Sequence, residues 1–90
     1  MTARAPIDTV WFRQVVAEVT GTDPGALDAA ERLDAIGLEG VDRLLVLTHV
    51  EALLGVEFPH DLEPALATVA DLLYYARIKV EQTNSDGARR

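Results

Sequence analysis

Two groups of polar side chains contain the residue types that bind metals or transfer protons. The first is His60, Asp61 and Glu63, but no second histidine lies nearby to complete a ligand set. We interpret it as a helix entry, with Asp61 as the cap and acids in the first turn. The second group lacks the ligand spacing and turn glycine of a calcium loop. We interpret it as a solvated acidic loop, formed by Asp23, Asp28, Glu31 and Asp34.

Residues for covalent catalysis are scarce. The chain has no cysteine, and its only serine is Ser85, in the last six residues. His49 lies in a helical pattern, where we interpret it as a partly exposed surface residue. The sequence contains no glycine-rich phosphate loop and no nucleophile–base pair with an orienting group. We therefore predict that the protein is not an enzyme and binds no metal or cofactor.

Size and charge restrict the function further. Ninety residues, 49% of them hydrophobic, make one small domain with a modest core. A formal net charge of −7 disfavours nucleic acids and anionic membranes as partners and favours basic ones, although acidity also serves solubility. No apolar run has the length of a signal peptide core or a membrane span. We expect a soluble, monomeric, cytoplasmic protein.

The elements that position these residues are helices. Apolar residues at helical spacing predict a first helix from Ile7 to about Val19, with Trp11 as a half-buried packing aromatic. A break follows at residues 21–25. From Thr20 to Glu39 the pattern is irregular, and we interpret this segment as a long connection. Its core anchors are Ala26, Leu27, Leu33 and Ile36.

Two further helices and one short turn complete the prediction. The second helix runs from about Val41 to Leu54, where Gly55 ends it. A short helical turn is expected at 62–66, and Thr68 caps a last helix from Val69 to about Val80. The predicted core face of the second helix is Leu44, Leu47, Val50 and Leu54, and that of the last helix is Val69, Leu72, Leu73, Ala76 and Val80. Residues 83–90 read as a disordered tail.

Several short motifs occur in the order found in one known family. The stretch from Asp34 to Asp42 resembles the acyl carrier protein segment in which Leu-Gly-Leu precedes Asp-Ser-Leu. Residues 55–59, Gly-Val-Glu-Phe-Pro, are similar to the family's Gly-Val-Glu-Ile-Pro, and residues 66–69 resemble its Ile-Thr-Thr-Val. Tyr75 falls where the last helix often carries a tyrosine. The resemblance implies an all-α, acyl-carrier-protein-like bundle of three main helices plus one short helix, with a long first loop, over residues 1–82.

The family's reactive position is different in this chain. Carriers attach phosphopantetheine to a serine that also caps the second helix, and the matching residue here is Gly40, between Glu39 and Val41. Glycine can occupy an N-cap, and Glu39 and Asp42 place negative charge where the helix dipole favours it. Covalent attachment is excluded at Gly40, because glycine has no side chain. No nearby hydroxyl replaces it, since Thr48 lies well inside the helix.

The outer face of the second helix also departs from the family. Carriers usually present glutamates there to basic partner enzymes, whereas this chain has Leu45, Ala52 and Leu53, with Glu51 as the remaining acid. Because Leu45 lies about 100° from Leu44 around the helix, it cannot easily share the core stripe. The sequence predicts either an apolar interface or burial under a neighbouring segment. We assign partner binding to Val41, Leu45, Thr48, Ala52 and Leu53.

Three functional hypotheses are consistent with these observations. The first is a carrier-like domain without the phosphopantetheine arm that carriers bear. It would dock on, scaffold or regulate biosynthetic enzymes of the fatty-acid or polyketide type, ketosynthase-like or related. The second is a genuine acyl carrier protein in which Gly40 replaces a natural serine. The third is a helical bundle unrelated to carriers. Only a carrier topology requires the long loop to cross the bundle and place Gly40 at the start of the second helix.

Overall fold

The architecture is all-α, as predicted. A computed structural model describes residues 7–59 and 66–88, with side chains described as far as Thr83. Three helices follow one another: α1 (Thr9–Thr20), α2 (Gly40–Leu54) and α3 (Val69–Ala88). A 3-10 turn at Asp34–Ile36 lies in the long connection between α1 and α2. No strand occurs in the described part of the chain, which has one isolated antiparallel bridge between Arg32 and Thr68.

Helix α1 has the boundaries and the face that its sequence indicates. Asp8 caps it, since an oxygen of its carboxylate accepts a hydrogen bond from the Trp11 amide at 3.0 Å. Gly21 ends it in a left-handed conformation, with a φ of 76°. Phe12, Val15 and Val16 are buried on the inner face, and Trp11 packs half-buried beside them.

Helix α2 buries the predicted face except at one position. Leu47 and Val50 are buried and Leu54 packs partly buried against the core, as expected, but Leu44 is 51% exposed and Val46 is buried instead, at 1% exposure. The prediction for Leu44 was therefore wrong. The physical reason is that α2 is apolar around most of its circumference, so the sequence offers little contrast between a core face and an outer face. Packing against α1 selects the face.

Helix α3 starts where predicted and continues further. Thr68 and Asp71 form a reciprocal capping box: the Asp71 amide donates to the Thr68 hydroxyl, and the Thr68 amide donates to the Asp71 carboxylate, each at 3.1 Å. The helix ends at Ala88, not near Val80, and so includes residues 83–88 of the segment expected to be a disordered tail. Glu81 and Gln82 are good helix formers, but residues 83–87 are not, and helix propensity does not explain the extension through them.

The long connection is attached to the start of α3. The Leu33 amide donates to the Ala67 carbonyl at 2.9 Å, and the Val69 amide donates to the Glu31 carbonyl at the same distance. Leu33 and Leu38 are buried to 1% and 2% exposure. These contacts explain how nineteen residues with little helix stay ordered between α1 and α2.

Of the other predicted anchors of this connection, two contact the core and one does not. Leu27 and Ile36 pack partly buried against the core, as expected, whereas Ala26 is exposed and anchors nothing. The predicted short turn at 62–66 falls mostly outside the described residues, and the group His60, Asp61 and Glu63 falls wholly outside them.

Within residues 7–59 and 66–88, none of the helices combines the length and apolar character needed to span a bilayer.

Candidate functional site on the second helix

The first residue of α2 is the position that matches the carrier serine. Gly40 has a φ of +60°, which is the left-handed region that glycine adopts readily and other residues rarely do. Glu39 occupies the N-cap and makes no side-chain capping bond, so the expectation that Gly40 is the cap was off by one residue. A β-carbon added at Gly40 would meet no atom within 4 Å. Position 40 therefore has space for a side chain but a backbone that disfavours one.

Beyond Gly40, the outer face of α2 is apolar and exposed. Val41, Leu45 and Leu53 have 70%, 48% and 52% of their surface accessible. Thr48 and Ala52 are also exposed. Val41, Leu45, Thr48 and Ala52 are spaced by four, three and four residues, which places them on one side of a helix. Of the two alternatives left by the sequence, burial of Leu45 under another part of the described chain does not occur, since Leu45 is exposed.

Leu44 adds to the exposed apolar surface of α2, although the sequence predicted it in the core. It borders an open cavity of about 430 Å³ between α2, the segment after it and α3. We call this cavity the α2–α3 groove and define it by Leu44, Leu47, Phe58, Leu66 and Lys79. No sequence signal predicted the groove, because its walls come from segments separated by many residues and Leu44 read as a core residue.

Glu51 has a structural role beside the groove. Its carboxylate accepts a hydrogen bond from the Phe58 amide at 2.6 Å and thereby fixes the segment that follows α2. The Phe58 ring meets the Tyr75 ring edge to face at 5.6 Å between centroids. Tyr75 packs against the core while Tyr74 is exposed, in line with the expectation of one core tyrosine and one surface tyrosine. Glu51 is therefore less available to a partner than the family comparison suggested.

The acids of the long connection are used within the fold. Asp23 accepts a bidentate pair of hydrogen bonds from Arg13, at 2.7 and 3.0 Å, and the Arg13 guanidinium lowers the pKa of Asp23 to about 2, with the Gly25 amide adding to the effect. Asp34 pairs with Arg32, whose hydrogen bonds lower the pKa of Asp34. Among the described residues, no cluster of three or more His, Asp or Glu is arranged to hold a metal.

His49 links α2 to α1. Its Nε2 atom lies 3.4 Å from a carboxylate oxygen of Glu18, and its side chain is 37% exposed. This agrees with the interpretation of His49 as a partly exposed surface residue. An ion pair or hydrogen bond at this exposure contributes little to stability. We assign it no chemical role.

No protein-family model, curated protein or solved structure matches this chain significantly. The likeness to acyl carrier proteins consequently rests on the motifs and their order. The structural features relevant to that likeness are the long connection between α1 and α2, the position of Gly40 at the start of α2 and the exposed apolar residues beyond it.

Proposed function

We propose that this protein is an acyl-carrier-like domain without an attachment residue, and that it serves as a non-catalytic docking, scaffold or regulatory partner of biosynthetic enzymes. The enzymes would be of the fatty-acid or polyketide type, ketosynthase-like or related. The observation that carries the proposal is that α2 exposes several large apolar residues, Val41, Leu45 and Leu53. A concentration of exposed apolar residues on a small domain marks an interaction site.

The position of Gly40 supports the arm-less form of the proposal over a serine that was replaced. A left-handed backbone at the start of α2 suits glycine and opposes serine. Incubation with coenzyme A and a broad-specificity phosphopantetheinyl transferase should leave the intact mass unchanged. Gly40→Ser should be modified slowly or not at all. Rapid modification of that variant would favour a genuine carrier seen as a Ser-to-Gly form.

Docking is tested with Leu45→Glu and the enzymes encoded beside this protein. Burying a leucine contributes about 1.5–3 kcal/mol, and about 1.4 kcal/mol corresponds to tenfold in affinity, so the substitution should weaken binding roughly tenfold or more. Val10→Glu is the matched control, because Val10 is an exposed apolar residue of α1, at 65%, outside the α2 face. Both variants should melt like the parent.

The two variants together decide the outcome. Equal affinity of Leu45→Glu and the parent for every enzyme would place the interface elsewhere. Equal loss in both variants would indicate a general effect of added charge and would also count against the α2 face.

A further inference from the structure

As formed by the described residues, the α2–α3 groove is an open depression with an apolar floor. Leu47 and Leu66 form its floor and are nearly buried, at 6% and 3% exposure, while Leu44 forms a wall and is half exposed. A volume of about 430 Å³ lies within the range of roughly 300–1,000 Å³ that is usual for sites accepting a compact organic group.

The charges at the groove indicate what can enter. Glu57 is exposed at the edge and has no ion-pair partner among the described residues. Glu51 adds a second carboxylate, already bonded to the Phe58 amide. On the α3 side the Lys79 ammonium lies over the Tyr75 ring, 5.9 Å from its centroid. The groove therefore presents two carboxylates and one ammonium on a protein of net charge −7, which favours a basic occupant over an acidic one.

We propose that the groove receives one large aromatic side chain from the docking partner, and that a basic residue next to it in the partner pairs with Glu57. The inference rests on the proposed docking function and specifies the partner's anchor. Interface energy concentrates in aromatic and arginine residues that fill pockets, and surrounding contacts exclude water. An apolar floor with a carboxylate at its edge matches this pairing of aromatic anchor and cation.

Leu44 and Leu45 provide a matched pair for the test. They are consecutive, almost equally exposed at 51% and 48%, and about 100° apart around α2. A change at Leu44 therefore tests the groove, and a change at Leu45 tests the outer face of α2. With the same neighbouring enzyme as probe, Leu44→Glu should weaken binding about tenfold or more. Glu57→Gln should weaken it severalfold at low salt, and as a surface change it should leave the fold intact.

The outcomes separate the groove from the proposed function. If Leu45→Glu weakens binding while Leu44→Glu and Glu57→Gln bind as the parent does, the groove inference is overturned and docking stands. If none of the three variants loses affinity, the groove inference is overturned and the interface lies outside the α2 face. If Leu44→Glu unfolds the domain, Glu57→Gln decides alone.

A second experiment tests the groove without any enzyme. N-acetyl-tryptophanamide is titrated into the labelled parent protein to millimolar concentration, and amide chemical shifts are recorded. Changes confined to the region of Thr48, Phe58 and Lys79, and absent in Leu44→Glu, support the groove as an aromatic site. Failure of every neighbouring enzyme to bind would count against the docking function. The chemical-shift changes would still show whether the groove binds an aromatic group. Shifts elsewhere, or none, overturn the inference.

Discussion

At the scale of single residues, Gly40 has an unusual backbone conformation at the start of α2. The motif likeness aligns this residue with the attachment serine of acyl carrier proteins. The structure adds that its φ of +60° is a conformation in which a β-carbon is strained, although the space around it is open. The sequence shows that residue 40 has no side chain. It could not show the sign of φ there, because glycine is compatible with either sign.

Replacing Gly40 tests this backbone requirement. We expect Gly40→Ala to lower the free energy of unfolding by about 1 kcal/mol, because an L-residue costs about 1–2 kcal/mol in the left-handed region. Gly40→Asn should lose less, since asparagine tolerates that region better. Urea titrations of the three proteins measure the differences. Alanine and asparagine variants as stable as the parent would show that residue 40 is not held at positive φ in solution.

Arg13 and Asp23 give a second prediction at this scale. The pKa of Asp23 is lowered from 3.8 to about 2, chiefly by its hydrogen bond from Arg13 and also by the Gly25 amide. A lowered folded-state pKa means that the pair's contribution to stability is present above about pH 4 and is lost as the pH falls towards 2. The effect should be small, because both side chains are exposed.

Nuclear magnetic resonance titration of the Asp23 carboxyl carbon checks this assignment. In the parent the midpoint should lie near pH 2. In Arg13→Gln it should move up towards the ordinary value, but not completely, because the Gly25 amide still donates to the carboxylate. An unchanged midpoint in the variant would show that the pair is absent in solution.

At the scale of elements, the helices differ in how well their sequences define a face. In α1 and α3, apolar residues such as Phe12 and Leu72 recur at helical spacing among polar ones, so most of the buried stripe was predicted correctly. Val80, at the end of the predicted stripe of α3, is only partly buried. In α2, apolar residues point in most directions, and periodicity selected Leu44 where packing selected Val46. The end of α3 was also missed, because helix continuing past the core has no apolar period to mark it.

The orientation of α2 can be measured by removing one side chain at a time. Val46→Ala should lower the free energy of unfolding by about 1–3 kcal/mol, since it removes fully buried methyl groups from contact with the core. Leu44→Ala should change it by about 0.5 kcal/mol or less, because Leu44 is half exposed. Chemical denaturation of both variants gives the comparison. The reverse ranking would mean that α2 is rotated to the face predicted from the sequence.

At the scale of the whole molecule, topology and surface carry the functional argument. The order of helices and the long connection followed from the break at residues 21–25 and the anchors Leu27, Leu33 and Ile36. The α2–α3 groove could not be predicted in this way, since it forms only when Leu44, Phe58 and Lys79 converge in the folded chain. Sequence pattern thus predicted the scaffold and the outer face of α2, while tertiary packing determined the depression beside it.

The net charge of −7 leads to the last prediction, which concerns how the protein meets a partner. If the partner is basic around its docking surface, as we propose, long-range attraction should accelerate association, and salt should screen it over a Debye length of about 10 Å at 0.1 M. The apolar contacts of Leu44 and Leu45 should instead govern dissociation. Raising sodium chloride from 50 to 300 mM should therefore slow association severalfold and leave dissociation nearly unchanged. Surface plasmon resonance with a neighbouring enzyme separates the two rates, and association that is independent of salt would contradict a basic partner.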